Sequence, residues 1–265
     1  MKVAAVQHDI VWADRDANFA ALAPLVREAA GNGARLVVLS EMFSTGFVVD
    51  RDDIGEKVNG PSSAFLSSMA TELGVWVCGS CPEIADGDPR PYNSLVLAAP
   101  DGSQHRYSKI HPFTYGGEDR HFRAGDSHVT VDIDGVRTSL FVCYDLRFAD
   151  EFWALATGTD LYVVPANWPV SRREHWMSLL RARAIENQCF VLAPDQCGVP
   201  SAGPAWHGHS LILDPWGEVL AEAGTEPGII LADLDLARLD EVRRRLPALD
   251  HTRRSEEHTS ELQSH

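Results

Sequence analysis

The chain has 265 residues, of which 45% are hydrophobic and 23% are charged, and its net charge at pH 7 is −15. This length and apolar content are enough for one large buried core or two small ones, as in an ordinary globular protein. The acidic excess disfavours binding to nucleic-acid phosphates and to anionic membranes, so neither is predicted as a partner.

Short β-rich runs alternate with helical patterns along the chain. Apolar runs predict about ten strands, and the clearest runs lie at 3–7, 35–41, 75–80, 92–100, 129–133, 136–145, 161–167, 189–195, 209–215 and 229–236. Apolar residues at helical spacing predict about five helices, with segments at 16–30, 61–73 and 172–188 and a last helix that starts near Leu236. Pro61 is a favourable first residue of the second helix. The buried face of the 172–188 helix is predicted to consist of Leu179, Leu180, Ala182 and Ile185.

The order of these elements predicts a single α/β domain over residues 1–253. Strands between helices are apolar throughout, as in a sheet that is covered on one or both faces. The later hairpin-like pairs indicate antiparallel or mixed pairing, and no repeat, low-complexity linker or charge block divides the chain. We therefore expect a layered core centred on sheets.

Two features indicate the cellular setting. The N-terminal segment MKVAAVQHDIVWADRD lacks the apolar stretch and cleavage site of a signal peptide, and no apolar run approaches the roughly 18 residues of a membrane span. The cysteines are odd in number and irregularly spaced, which favours a reducing cytoplasm over a disulfide framework. They are Cys78, Cys81, Cys143, Cys189 and Cys197.

The C-terminal segment 254–265 has an unusual sequence. It reads RSEEHTSELQSH and resembles the translation of a DNA-sequencing adapter. A natural polar tail is the alternative interpretation. We expect a non-native tail that is disordered or loosely packed, and it is excluded from the reasoning on the fold.

Three residues with useful chemistry stand at the ends of predicted strands: Glu41, Lys109 and Cys143. Strand ends in an α/β fold display side chains from a rigid sheet into a crevice. Amide hydrolysis requires a nucleophile, a base and a group that stabilises an oxyanion, and cysteine, glutamate and lysine can fill these roles. Taken one at a time, the same residues are compatible with an inert buried thiol and two solvated charges.

Several segments together resemble the signature sequences of the carbon–nitrogen hydrolase, or nitrilase-like, superfamily. They are EMFSTGF at 41–47, SKIHPF at 108–113, GGEDRHFRAGD at 116–126 and FVCYDLRF at 141–148. They occur in the family's order at similar spacings, and VAAVQ resembles its first strand. The resemblance covers residues 2 to about 250 and favours the catalytic interpretation.

The resemblance implies a fold and a set of roles. The fold would be a four-layer α-β-β-α sandwich with two mixed sheets, and members form dimers or larger assemblies by pairing helices. Glu41 would be the general base, Lys109 an oxyanion donor and Cys143 the nucleophile. Glu118 would position the lysine and the substrate, and the backbone N–H of Tyr144 would be a second oxyanion donor.

The segment at 165–188, together with CYDLRF and EMFSTGF, resembles the ω-amidase branch, which hydrolyses the terminal amide of short 2-oxo acids. Asn167 and Trp168 are predicted to face the substrate. Arg172, or failing that Arg173, is predicted to bind its carboxylate, although a surface arginine at a helix start is an equal alternative. The loop that contains Tyr115 departs from some relatives, and it is predicted to line the pocket.

Other functions remain open at this point. An amidase acting on N-carbamoyl amines or aliphatic amides is the main alternative, and a nitrile-cleaving enzyme is disfavoured by CYDLRF. A non-catalytic binding subunit would not need the intact Glu–Lys–Cys set. The single C-x-x-C pair, Cys78 and Cys81, is predicted to pack in the core. We predict no metal and no cofactor, with only a small amide and water as reactants.

Overall fold

The computed structural model describes residues 1–51, 53–198 and 205–251. The segment 254–265 lies outside these ranges, so its interpretation as a non-native tail remains a proposal.

The described residues form six α-helices and fifteen strands. The helices are α1 Arg15–Gly31, α2 Pro61–Leu73, α3 Glu118–His121, α4 Ala149–Leu155, α5 Arg173–Asn187 and α6 Leu236–Arg245. The strands are β1 Lys2–Gln7, β2 Leu36–Val38, β3 Glu56–Lys57, β4 Trp76–Ile84, β5 Tyr92–Ala98, β6 Gln104–Ser108, β7 Thr130–Ile133, β8 Val136–Leu140, β9 Leu161–Val163, β10 Phe190–Ala193, β11 Cys197–Gly198, β12 Trp206–His207, β13 Leu211–Leu213, β14 Val219–Glu222 and β15 Gly228–Asp233.

Two large sheets contain most of the strands, and both are mixed. The first has the order β15-β1-β2-β4-β5-β6, with β3 paired to β4, and the second has the order β14-β13-β10-β9-β8-β7. The β1-β2-β4 and β8-β9-β10 ladders are parallel, whereas the flanking pairs are antiparallel. The predicted mixed pairing is therefore confirmed.

The sheets pack face to face between two helical layers. Along β1, Val3 and Ala5 belong to the cluster between the sheets, whereas Ala4 and Val6 pack with residues of α1 and α2. This alternation follows from the two-residue period of a strand. On the far side of the second sheet, the core cluster includes Phe152 of α4 and residues of α5. The layers are thus α-β-β-α, as the resemblance implied.

The local sequence explains where several elements begin and end. Helix α2 spans the predicted residues 61–73, because Pro61 stands at its start and Gly74 ends it in the left-handed conformation at φ 66°. The predicted buried face of α5 is partly wrong. Ile185 is 51% exposed, and the buried positions are Trp176, Leu180, Arg183, Ala184 and Asn187. In the described ranges, no helix combines the length and the hydrophobicity that crossing a membrane would require.

The chain segments that follow four strands meet at one edge of the sandwich. Glu41 comes shortly after β2, and Lys109 directly follows β6. Cys143 follows β8, and Asn167 follows the neighbouring strand β9. Since β8 and β9 are parallel, their carboxyl ends lie side by side. The fold therefore brings residues that are distant in sequence into one crevice.

Candidate active site

Glu41 lies in a turn that is fixed to the first sheet. The next residue, Met42, has φ 47°, a left-handed conformation that is rare for a residue with a side chain. The backbone N–H of Met42 donates to Ser80 Oγ at 2.8 Å, and that of Phe43 donates to the Ser80 carbonyl at 3.2 Å. The Glu41 side chain has no exposed surface. The turn thus presents a buried carboxylate at a fixed position.

The ammonium of Lys109 lies between two carboxylates. Its Nζ donates to Glu41 Oε1 at 2.9 Å and to Glu118 Oε2 at 2.8 Å, and all three side chains are fully buried. An ammonium has three N–H donors, so one remains for another acceptor. The structure therefore brings the predicted Glu41, Lys109 and Glu118 together.

Asn93, which the sequence analysis missed, connects the two acids. Its Nδ2 donates to Glu41 Oε1 at 2.8 Å and to Glu118 Oε1 at 3.1 Å. It is 1% exposed in β5, and the other residues in the middle of that strand are mostly apolar. A buried amide in such a strand requires polar partners, so an asparagine in this apolar segment of the sequence indicates a polar site.

Cys143 occupies a sharp turn after β8. Its φ is 48°, and its backbone N–H donates to the carbonyl of Pro165 at 2.9 Å. A 3₁₀-helix, Cys143–Arg147, begins at this residue. Tyr144 is its second residue, and the first N–H groups of a helix have no partner within it. The thiol and the Tyr144 N–H therefore lie next to each other at the start of this 3₁₀-helix.

Burial and neighbouring charges set the protonation of these groups. Burial raises the pKa of Glu41 above its ordinary value, and this effect exceeds the opposing attraction of Lys109. Burial also raises the pKa of the Cys143 thiol well above its ordinary value, and the charge of Glu41 adds to this effect. Burial alone would lower the pKa of Lys109, but Glu118 and Glu41 outweigh it and hold the pKa well above 10.5. Burial thus favours the thiol form of Cys143, beside the ammonium of Lys109 and the carboxyl group of Glu41.

The Glu41 carboxylate has one oxygen that remains available. Oε1 accepts from Lys109 and Asn93, whereas Oε2 is buried without a hydrogen-bond partner in the described part of the chain. Glu41 and Cys143 each shift the pKa of the other group, because the two side chains lie close together. The free oxygen can therefore take the thiol proton, while Lys109 and the Tyr144 N–H can hold a developing oxyanion.

A cavity of about 400 Å³ opens onto the thiol. Glu41 and Cys143 lie in its wall, and half of the other lining residues are aromatic. The predicted substrate-binding residues Tyr115, Tyr144, Asn167, Trp168 and Arg172 all line it. Tyr115 is 85% exposed and lies at the rim. Arg173 does not line it and faces a second cavity instead.

Comparisons with known proteins agree with this geometry. The family model of the carbon-nitrogen hydrolases matches residues 2–244. The chain belongs to the carbon–nitrogen hydrolase family. A Bacillus subtilis protein named 2-oxoglutaramate amidase is 37% identical over 86% of this chain and 88% of its own. The Escherichia coli protein named Omega-amidase YafV is 34% identical over 94% of this chain and 95% of its own.

A solved structure gives the same result for the fold. The Xanthomonas campestris protein XC1258 is described as a CN-hydrolase superfamily protein with an arsenic adduct in the active site. It matches with a TM-score of 0.90 and 32% identity, covering 96% of this chain and 97% of that one. The four-layer fold of this carbon–nitrogen hydrolase is thus shared with a solved relative.

Two guanidinium groups line the cavity of this carbon–nitrogen hydrolase. Arg172 lies over the rings of Phe113 and Tyr115 at 5.1 and 5.5 Å. Arg147 lies 4.7 Å from the Trp168 ring, and the sequence analysis missed it although it is part of FVCYDLRF. Neither arginine forms a salt bridge with an acid among the described residues, and Nη2 of Arg147 lies 3.2 Å from Nδ1 of His175. In a chain with a net charge of −15, unpaired cations in a cavity favour an anionic ligand.

The other cysteines have different surroundings from Cys143. All five thiols are free, and Cys78, Cys81, Cys189 and Cys197 have no exposed surface, whereas Cys143 is 8% exposed in the cavity. Burial raises the pKa of Cys189 and Cys197 to about 12. Because Cys78 and Cys81 are fully buried, the predicted core packing of the C-x-x-C pair is confirmed.

Proposed function

We propose that this carbon–nitrogen hydrolase is an ω-amidase, which hydrolyses the terminal amide of a 2-oxo dicarboxylic acid monoamide such as 2-oxoglutaramate and releases ammonia. One observation carries the proposal. A single cavity presents the Cys143 thiol with its Glu41–Lys109–Glu118 array and also two guanidinium groups that have no acidic partner among the described residues. The thiol and its array suit amide hydrolysis, and the guanidinium groups suit a carboxylate at the far end of the substrate.

Acylation begins with the transfer of the Cys143 proton to Glu41 Oε2 as the sulfur attacks the amide carbon. The oxyanion that forms accepts hydrogen bonds from the third N–H of Lys109 and from the Tyr144 backbone. As the tetrahedral intermediate collapses, Glu41 returns the proton to the amide nitrogen. The C–N bond breaks, ammonia leaves, and a thioester remains on Cys143.

Deacylation repeats the same transfers with water. Glu41 takes a proton from the water as its oxygen attacks the thioester, and Lys109 again stabilises the oxyanion. The C–S bond then breaks, and Glu41 returns the proton to the Cys143 sulfur. The products are the dicarboxylic acid and ammonia, and no cofactor is needed.

The names of two relatives support this choice of substrate, because one is called a 2-oxoglutaramate amidase and the other an omega-amidase. Asn167 contributes to the same wall of the cavity. Its Nδ2 donates to the Glu41 carbonyl at 3.0 Å, while its Oδ1 has no partner among the described residues. That oxygen can accept an N–H of the substrate amide.

Ammonia release from a panel of amides tests the proposal. The panel contains 2-oxoglutaramate, 2-oxosuccinamate, glutamine, an aliphatic amide and an N-carbamoyl amine. The highest kcat/KM is expected for the 2-oxo acid amides. A preference for the aliphatic or N-carbamoyl compounds would replace this proposal with a general amidase, and no ammonia from any amide would favour a non-catalytic binding subunit.

We also propose that the protein is cytoplasmic and forms a homodimer or a larger homo-oligomer. The outer surface of α4 and α5 supports an assembly, because Trp153 is 41% exposed and Ile185 is 51% exposed there. Exposed large apolar side chains are found at many protein–protein interfaces. Sedimentation of the wild type and of Ile185→Glu tests this, and a monomeric wild type would contradict it.

A further inference from the structure

Asp195 is a buried acid that the proposed mechanism does not use. It follows β10 and has no exposed surface. Its Oδ1 accepts the backbone N–H of Trp168 at 2.9 Å and that of Gln196 at 2.8 Å. Its own N–H donates to Ser210 Oγ at 2.9 Å. A carboxyl group with these bonds can fix the backbone around it.

Asp195 holds a backbone segment that contacts Cys143, the proposed nucleophile. The segment 165–168 begins at Pro165, whose carbonyl accepts the Cys143 N–H at 2.9 Å. A hydrogen bond from the Asn167 backbone lowers the pKa of the Cys143 thiol. The segment is also tied to the residue before Asp195, since the Ala166 N–H donates to the Pro194 carbonyl at 3.0 Å. The position of the segment 165–168 therefore affects where the Cys143 sulfur lies. It also affects where Asn167 and Trp168 line the cavity.

We propose that Asp195 is a positioning residue, which holds the segment 165–168 against Cys143 through the hydrogen bond from the Trp168 backbone to its carboxyl oxygen. Its effect on turnover rests on the proposed function, but its effect on the reactivity of the thiol does not. Misplacing a reacting group by about 1 Å can lower a rate on the order of a hundredfold.

Burial favours the neutral form of the carboxyl group. Burial raises the pKa of Asp195 well above its ordinary value, and the nearby charge of Glu41 adds to this effect. The other oxygen, Oδ2, lies 3.1 Å from Nε2 of His207, and burial lowers the pKa of that imidazole to about 4. Burial therefore favours the neutral form of both groups that face each other here. An asparagine keeps the acceptor for Trp168 and offers an N–H to His207.

The experiment compares Asp195→Asn and Asp195→Ala with the wild type. It measures the rate at which iodoacetamide alkylates Cys143, identified by peptide mass, together with kcat/KM for 2-oxoglutaramate. Alkylation forms a C–S bond, expels iodide and releases the thiol proton. We expect Asp195→Ala to lower both rates by about tenfold or more and Asp195→Asn to stay within about twofold of wild type. The acid limb of the pH profile should not move in Asp195→Asn, since a neutral acid is replaced by a neutral amide.

Asp214→Ala is a matched control. Asp214 is also a buried acid, and its Oδ1 accepts two backbone N–H groups, from Trp216 and Glu218, in a turn that does not line the cavity. This variant should lower the melting temperature without slowing the alkylation of Cys143.

Equal alkylation of folded Asp195→Ala and wild type would overturn the proposal. So would an Asp195→Asn variant as impaired as Asp195→Ala, or one whose acid limb shifts, because the charge would then matter. If Asp195→Ala does not fold, Asp195→Leu, which has a similar shape and no acceptor, replaces it with the same expectation. If 2-oxoglutaramate is not a substrate, the alkylation rates still decide the role of Asp195.

Discussion

Nζ of Lys109 lies 2.9 Å from Oε1 of Glu41, and neither side chain has any exposed surface. The same ammonium lies 2.8 Å from Glu118, so one buried cation serves two buried acids. Removing one partner of a buried pair leaves a charge without compensation, which is strongly destabilising. The lysine therefore connects the stability of the site to its proposed chemistry.

Lys109→Ala should nearly abolish amide hydrolysis. The variant lacks an oxyanion donor in a dry site, which raises the barrier by at least ~3 kcal/mol and lowers kcat about a hundredfold or more. It should also melt at a lower temperature, because Glu41 and Glu118 lose their cation. Steady-state ammonia release and thermal denaturation measure both effects.

Lys57→Ala is the control, since Lys57 is exposed on β3. It should keep the wild-type rate and melting temperature. A loss of only two- to threefold in Lys109→Ala, below the ~3 kcal/mol expected of an oxyanion donor, would mean that this lysine does not contact the reacting carbonyl.

The acid limb of the kcat/KM profile should lie at a higher pH than the pKa of an ordinary glutamate. The proposed mechanism needs ionised Glu41, and burial raises its pKa, so activity is lost as the pH falls through that raised value. The charge of Glu118 also raises the pKa of Glu41. Glu118→Gln should therefore move the limb to lower pH, in addition to slowing the reaction.

Asp119→Asn removes the charge of the exposed neighbour of Glu118 and should leave the limb unchanged. If the acid limb of the Glu118→Gln variant lies at the wild-type pH or at a higher pH, Glu41 does not set the acid limb of the kcat/KM profile.

Substrate choice should depend on a guanidinium of the cavity. Replacing the residue that binds the substrate carboxylate, Arg147 or Arg172, with alanine should weaken kcat/KM for 2-oxoglutaramate by about 2–3 kcal/mol. A neutral amide of similar length should lose much less. Each variant is assayed with both substrates, so that general damage to the site is separated from lost recognition.

Arg173→Ala is the matched control, because this adjacent arginine lines a different cavity. Equal losses on both substrates would mean that the arginine is structural. A wild type that prefers the neutral amide would contradict the ω-amidase proposal itself.

The buried His8 should make the fold sensitive to acid. Its Nε2 lies 3.2 Å from the Phe43 carbonyl, and burial lowers its pKa from 6.5 to about 4. Between these values the unfolded chain binds a proton that the folded chain does not, so stability falls as the pH drops from 6.5 towards 4. The wild type should thus lose about 1.5 kcal/mol relative to His8→Gln between pH 6.5 and 5.

Denaturant unfolding at the two pH values measures this difference, and His105→Gln at an exposed position is the control. A constant difference between wild type and His8→Gln across this range would mean that His8 is already protonated in the folded state.

Local sequence predicted the long, regular elements well. Helix α2 begins at Pro61 and ends before a left-handed Gly74, as its sequence indicates. The predicted strand 161–167 ends early, because β9 stops at Val163. The chain after it passes Pro165 and enters the cavity wall at Asn167, a course that depends on contacts with other strands. Helix α4 is short and was missed, since its packing partners lie elsewhere in the chain.

The candidate site could be predicted only in part. Glu41, Lys109, Glu118 and Cys143 stand in recognisable segments, and the structure brings them together. Asn93 was missed because its function depends on a partner in each of two distant segments. The burial of Arg183 and the exposure of Ile185 were also missed, because the orientation of α5 is set by packing rather than by hydrophobicity alone.

The central proposal is that Cys143 forms a covalent intermediate with a small amide. The most direct measurement mixes the enzyme with 2-oxoglutaramate, stops the reaction with acid within one turnover, and determines the mass of each cysteine-containing peptide. We predict a transient thioester on the peptide that contains Cys143 and on no other. Cys143→Ala should show neither the adduct nor ammonia release, while Cys78→Ala should show both. Ammonia release by Cys143→Ala at the wild-type rate, or an acyl group on another residue, would contradict the account.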